Sequence, residues 1–267
     1  MQMISLDHIV HAVHNRKSAE SSFIRQGFHV FEGGKHEDWG TSNSLSYFGS
    51  SYIEFISIDQ AEKAAISENP LIMQLTKKAD EGVYQTALRT DNIEGDAVTL
   101  SKLGLQVTGP FLGSRKTEEG STLSWKMMFV SSPHSTFELP FFIEWNQPAH
   151  LRIDRMRNEG IIKDHTNGAR QISSVFYAVK DIGSVLPNWN KWFNTKKIKA
   201  YTNSQELNAI CTEVKISDAS FTFFEPKGEG MIKEIIKHQG EGPFGAEFKG
   251  ANGSSVVHVL SGGYYSY

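Results

Sequence analysis

Two glutamates stand alone in apolar, strand-like runs: Glu54 in Tyr52-Ile53-Glu54-Phe55-Ile56, and Glu144 in Phe141-Phe142-Ile143-Glu144-Trp145. An ionised carboxylate is expensive to bury without a partner. Each must therefore face water, pair with a cation, bind a metal or hold a proton. Strand parity places Tyr52, Glu54 and Ile56 on one face, opposite Ile53 and Phe55. His8, in Leu6-Asp7-His8-Ile9-Val10, adds an imidazole, and aligning Asn15 with Asn92 sets Gln85 opposite it. His8, Glu54, Gln85 and Glu144 form a mixed nitrogen and oxygen set that suits a divalent transition metal such as Mn, Fe, Ni or Zn. Glu54 or Glu144, displaced from such a metal, could act as the catalytic base. The opposing reading pairs both carboxylates with bases such as Arg89 or Arg115 and leaves His8 as a core histidine. His11 and His14 read as structural or exposed.

These residues need elements to hold them. Residues 4–13 read as a strand, and Asn15 opens a helix that Gly27 closes. A short strand at 28–31, a loop over 33–41 and strands at 44–48 and 52–58 complete a βαβββ order. From Tyr84 the order returns: a strand to 92, a helix at 95–103, a short strand at 105–108, a loop over 109–120, then strands at 122–130 and 141–145. A repeat at a spacing of about eighty residues signals duplicated modules. A weaker third copy starts near Ile172, with a helix around 185–193 and strands in LNAICTEVKI and ASFTFFEP. The tail adds a helix at 231–238 and a strand or two. The expected class is α+β: modules 1–60 and 82–148 pair in residues 1–150 as a cupped mixed sheet, and 151–267 carry a degenerate third module and tail. The polar stretch 147–171 marks the boundary.

At this level the chain resembles the vicinal-oxygen-chelate superfamily, and within it the glyoxalase-like domain proteins. The resemblance rests on His36-x-x-Trp39-Gly40-Thr41-x-Asn43, Tyr52-x-Glu54, a 115–120 loop before Trp125, and Pro140-Phe-Phe-Ile-Glu-Trp145, over about residues 4–146. It implies a cup in which a His or Gln on each first strand and a Glu on each last strand hold a metal, matching His8, Glu54, Gln85 and Glu144. It also implies substrate contacts from His36, Trp39 and Asn43, on a loop folded over the cup, and from Arg115 and Trp125, with Arg115 a clamp for an anionic group. The implied function is a divalent-metal-dependent lyase, isomerase or dioxygenase acting on a small vicinal-oxygen substrate. The alternative is a metal-free protein that binds or sequesters a small molecule in the same cup.

Composition narrows the partners. The chain has 267 residues, 39% hydrophobic and 21% charged, with a formal net charge of −3. That balance does not favour nucleic acid or an acidic membrane surface. The basic stretch 191–199, interleaved with Trp189, Trp192 and Phe193, reads as an amphipathic helix with solvated lysines. Cys211 is the single cysteine, so neither an intrachain disulfide nor a thiolate metal cluster can form. The opening residues lack a signal-peptide pattern, and the expected location is cytoplasmic. Gly240-x-Gly242-x-x-Gly245 follows a helical stretch rather than a strand, so no nucleotide cofactor is expected. Glu225 in the third copy echoes Glu54, with Ser173 or Ser174 where His8 would stand. Tyr264, Tyr265 and Tyr267, read as exposed aromatics, would favour a homodimer through the C-terminal module.

Overall fold

Asn15, Asn92 and Asp181 each cap a helix that follows the first strand of a module. Their side-chain oxygens accept from the backbone N–H groups of Ser18, Gly95 and Gly183 at 3.0, 3.1 and 2.8 Å, which satisfies a donor the helix leaves unpaired. The computed structural model describes residues 4–116, 122–203, 207–250 and 257–267. The first module comprises β1 (Ser5–Ala12), α1 (Arg16–Arg25), β2 (Phe31–His36), β3 (Thr41–Phe48) and β4 (Ser51–Ile58). Short helices α2 (Ala61–Ala65) and α3 (Pro70–Leu75) lead to the second: β5 (Gly82–Arg89), α4 (Ile93–Lys102), β6 (Gln106–Lys116), β7 (Thr122–Ser131) and β8 (Phe141–Trp145). Helix α5 (Ala149–Asn158) leads to β9 (Gln171–Ala178), α6 (Ile182–Phe193), β10 (Lys196–Asn203), β11 (Ala209–Ile216) and β12 (Ala219–Pro226). Then come α7 (Met231–Gln239), β13 (Gly242–Lys249), β14 (Val257–Leu260) and β15 (Gly263–Ser266).

The strands form two mixed sheets. The first has the order β2-β3-β4-β1-β5-β8-β7-β6 and the second β10-β11-β12-β9-β13-β15-β14. In the first, β1 runs parallel to β4 and β5 to β8, and the antiparallel β1–β5 pair joins the modules. The second sheet repeats this scheme, with β9 parallel to β12, β13 parallel to β15, and β9 antiparallel to β13. The third module thus has all five elements, and the tail is a truncated fourth.

Several sequence expectations change at this level. The glycines at 33 and 34 sit in strand β2 at a register shift between Glu32 and Gly34, not in a loop over the cup. Strand β6 continues past a similar shift between Thr108 and Phe111. Pro110 lacks a backbone donor, so a bulged strand reads as a loop in the sequence. The basic stretch is split: α6 ends at Asn194 in a left-handed conformation, φ 51°, and Lys196, Lys197 and Lys199 lie on edge strand β10. Lysines there oppose unwanted strand pairing. The glycine-rich run is β13, where Gly245 lies directly against the Tyr264 backbone of β15 and has no room for a Cβ. Tyr265 is fully buried and Tyr264 and Tyr267 partly so, which corrects the expectation of exposed aromatics. The Tyr267 hydroxyl donates to Gln26 Oε1 at 2.9 Å.

One apolar core, including Ile9, Phe23, Phe55, Leu88, Val175, Tyr177, Trp189 and Phe223, joins the two sheets with α1, α4 and α6. The opposite faces are covered differently. On the second sheet, Ile232 and Ile235 of α7 pack on Phe176, Phe224 and Phe244. On the first, Ala64, Leu71, Ile72 and Leu75 of α2 and α3 cover only part of a face that carries Val10, Ile56, Trp125 and Ile143. Among the described residues no helix is long and apolar enough to cross a membrane.

Candidate functional site

Three backbone hydrogen bonds fix how the modules superpose. Val13 N–H donates to Ile56 O at 2.9 Å, Thr90 N–H to Ile143 O at 3.0 Å, and Val179 N–H to Phe224 O at 2.9 Å. Counting from these bonds, His8, Gln85 and Ser174 are equivalent, and so are Glu54, Phe141 and Thr222. Glu144 corresponds to Ser57 and Glu225, not to Glu54. The offset is odd, so Glu144 points to the face opposite Glu54.

That placement separates the four expected metal ligands. Glu144 Oε2 accepts from Ile93 N at 2.7 Å, and Glu225 Oε2 accepts from Ile182 N at 2.8 Å. Both carboxylates serve the first turns of α4 and α6, where the helix dipole favours negative charge. Gln85 Oε1 accepts from Thr86 N at 2.9 Å. In the third module the His8–Glu54 position is a buried Ser174–Thr222 hydroxyl pair at 2.8 Å. Only His8 and Glu54 meet, with Nε2 and Oε2 3.5 Å apart. Among the described residues no group of three or more His, Cys, Asp or Glu is placed to hold a metal ion. Replacing Glu144 by alanine is expected to destabilise the fold by about 1 kcal/mol and to leave ligand binding in the cup unchanged. Urea unfolding and a binding titration on the same variant check both halves.

The cup itself gathers most of the remaining expected residues. His8, His36, Trp39, Asn43, Glu54 and Trp125 line one cavity with Tyr47, Tyr52, Leu71, Phe141 and Trp145. Strands β3 and β7, far apart in the sheet order, both contribute, so the first sheet is curled around it. The space is about 40 Å³, on the order of three waters. Trp125 sits 5.3 Å from Trp145 and 6.4 Å from Trp39 between ring centres. His36 packs on Trp39 at 5.2 Å, with Nδ1 3.0 Å from Thr41 Oγ1. The backbone of Arg115 pairs with Leu123; its side chain and residues 117–120 lie outside the described residues. A wider groove of about 930 Å³ runs beside α5, and of the expected site residues it holds Glu144 alone. Its walls mix Asp91, Asp154 and Asp218 with Arg89 and Arg157.

The polar end of the cavity is tightly organised. Asn43 Nδ2 donates to Glu54 Oε1 at 2.6 Å, while its Oδ1 accepts from Gly34 N at 2.9 Å. A Cβ at Gly33 would collide with Asn43 Oδ1, which gives the glycine at the β2 bulge a reason. His8 Nδ1–H donates to Asp7 Oδ1 at 2.8 Å. Asp7 Oδ2 accepts from Trp145 Nε1 at 3.0 Å and from Arg89 Nη1 at 3.3 Å. Arg152 of α5, 1% exposed, donates to the Tyr47 hydroxyl at 3.1 Å and lies 4.1 Å above the Trp145 ring. Burial alone would raise the Asp7 pKa. The His8 hydrogen bond and the charges of Arg152, His8 and Arg89 outweigh that and hold it well below the usual carboxylate range.

The sequence does not single out Asp7 or Arg152, and it offers Trp145 only as the end of the Pro140–Trp145 motif. Asp7 sits next to His8, where strand alternation argues for the opposite face, and Arg152 lies in a polar stretch that reads as a boundary. The Leu6-Asp7-His8 run offered one signal, a carboxylate beside an imidazole, and the register shift in β1 between Leu6 and His8 exploits it.

Residues 6–193 match a protein family described as a glyoxalase-like domain. No curated protein matches the chain. Among solved structures, a hypothetical protein from Staphylococcus aureus is 20% identical and superposes with a TM-score of 0.78 over 98% of both chains. A mutant of 4-hydroxymandelate synthase from Streptomyces coelicolor is 12% identical, with a TM-score of 0.59 over 93% of this chain and 71% of that one. At these identities the likeness is one of fold.

Proposed function

The chain belongs to the glyoxalase-like domain family, and from that membership we propose that it binds a small organic molecule in the cup of its first sheet without a metal. The observation that carries this reading is the convergence of His8, Glu54 and Asn43 at one end of a cavity walled by Trp39, Trp125 and Trp145. A few fixed polar groups in an aromatic-lined cavity are the ordinary form of a small-molecule site. The metal-dependent reading needs four donors on one point, and Gln85 and Glu144 are engaged elsewhere. A divalent ion at His8 and Glu54 would have two protein donors, since among the described residues no third His, Cys, Asp or Glu is placed to join them. The residues present do not fit it.

Each group has a separable role. Asp7 fixes the orientation of the His8 imidazole, Asn43 fixes the Glu54 carboxylate, and the tryptophans exclude water and bury the apolar part of the ligand. On the second sheet the corresponding face, with Phe176 and Phe224, is packed by α7. A fragment screen read by tryptophan fluorescence tests the proposal. Hits are expected to weaken at least about tenfold in His8→Gln and in Trp125→Leu, a loss near 1.4 kcal/mol. Affinities unchanged in both folded variants would place binding outside the cup.

Proton transfer is a second reading, favoured by the Asp7–His8 hydrogen bond, since an imidazole so held can take a proton at Nε2 from a bound ligand. Turnover of a bound fragment that disappears in His8→Gln would support it. A ligand recovered unchanged, with no exchange of its protons for solvent deuterium, would leave binding alone.

A further inference from the structure

We propose a second site, independent of the cup: a cleft between the ends of the two sheets that takes a small phosphorylated organic molecule. The cleft encloses about 390 Å³, a volume usual for small-molecule sites. One wall is Ser5 at the start of β1 with Ser50 and Ser51 at the β3–β4 turn. The other is Arg170, Ser173, Lys215, Ser220 and Lys249. Strand register assembles this second wall. Lys249 of β13 pairs with Gln171 of β9, Phe221 of β12 with Val175 of β9, and Ser220 of β12 with Lys215 of β11. Arg170 N–H donates to Lys249 O at 2.8 Å, which sets the arginine beside that lysine. Neighbouring strands thus bring three cations to one hollow.

Their charge is not spent on carboxylates. Among the described residues Arg170, Lys215 and Lys249 make no ion pair, and the carboxylate in the cleft wall is Asp218. Residues 251–256, outside the described residues, contain neither Asp nor Glu. The excess is local, because the chain carries a formal net charge of −3 and the groove along α5 sets Asp91, Asp154 and Asp218 against Arg89 and Arg157. Like charges around one hollow repel, and an anion between them turns that cost into attraction. A phosphate monoester suits the donors present. It carries up to two charges, and its tetrahedral oxygens can meet ammonium groups and a guanidinium fork together. The Ser5 and Ser220 hydroxyls, which among the described residues make no hydrogen bond, add donors. The floor is apolar, with Leu6, Phe48, Ile172 and Ala219 buried beneath the cations. That floor suits the carbon part of the ligand, which inorganic phosphate lacks.

The test titrates the full chain by calorimetry, in buffer free of phosphate, with butyl phosphate, butyrate, butan-1-ol and inorganic phosphate. Butyl phosphate is expected to bind at least about tenfold more tightly than each of the others. Arg170→Glu and Lys249→Glu, charge reversals at exposed positions, are each expected to weaken it at least about tenfold, and Trp125→Leu in the cup to leave it unchanged. The comparison of probes on the parent protein stands even if a variant does not fold. Butanol or butyrate binding as tightly as butyl phosphate would overturn the proposal, and so would no binding of butyl phosphate at about 10 mM. Inorganic phosphate binding equally well would overturn the organic ligand. Affinity lost in Trp125→Leu but kept in both charge reversals would move the phosphate to the cup and leave the cleft without a ligand.

Discussion

Asp7→Ala is expected to destabilise the fold by about 3–5 kcal/mol, the range for breaking a buried charge cluster from one side. Arg152 is 1% exposed, with Nε and Nη2 lacking hydrogen-bond partners among the described residues. Its compensating charge is Asp7 Oδ2, 3.7 Å from Nη2. Removing that carboxylate also strands the Trp145 indole N–H and the His8 Nδ1–H. Asp7→Asn, which retains an acceptor and loses the charge, should fall between parent and alanine. The measurement is the urea midpoint of all three proteins, with a cost below about 1 kcal/mol for alanine counting against the cluster. The same carboxyl has a pH signature. Its folded pKa is depressed, so its contribution is complete above the ordinary value of 3.8 and is lost as pH falls from there through the folded value.

His11 makes the other large prediction, in the opposite setting. The ring is fully buried between the sheets, with Nε2–H donating to Ser261 O at 2.7 Å and the Tyr265 hydroxyl donating to Nδ1 at 2.6 Å. Burial pushes its pKa down to about 4 from an ordinary 6.5, against smaller opposing pulls from the Ser261 carbonyl and Glu81. The unfolded chain therefore takes up a proton below pH 6.5 that the folded chain refuses until about pH 4. Stability is full above the higher value and falls between the two, by about 3 kcal/mol in all. His165, also lowered by burial, adds to the slope, so the readout is the difference between parent and His11→Gln. Urea unfolding at pH values from 7.5 down to 4 (chosen as about one unit beyond His11's ordinary value and its folded value) should show a flatter decline in the variant. Equal slopes would mean that His11 is charged or solvated in the folded state.

The helix caps made the fold readable. Asn15 and Asn92 announce the same strand-to-helix junction, and aligning them pairs His8 with Gln85 as the backbone does. The two glutamates mislead because their apolar surroundings look alike in YIEFI and FFIEW. Register is set at the far end of each last strand, where Ile56 and Ile143 carbonyls receive the next junction. From that end Glu54 aligns with Phe141, and the apparent repeat of a carboxylate dissolves. Glu144 and Glu225 form the true pair, as helix-terminus acceptors. His36, Trp39, Asn43 and Trp125 do meet in the cup, although His36 and Asn43 reach it from paired strands rather than a loop. Asp7 and Arg152 were invisible because their meeting depends on α5 folding back across β3 and β4, where Ile153 and Met156 pack on Leu45, Tyr47 and Tyr52. Nothing within a local window of sequence records such a contact.

The most direct test of the central claim is the affinity of a cup-binding fragment before and after exhaustive chelation, with elemental analysis of the same untagged sample and of Glu54→Gln. One affinity is expected in both states, abolished or sharply weakened by Glu54→Gln, whatever the metal content. About one equivalent of Mn, Fe, Ni or Zn in the parent, lost in Glu54→Gln and required for the fragment to bind, would contradict it.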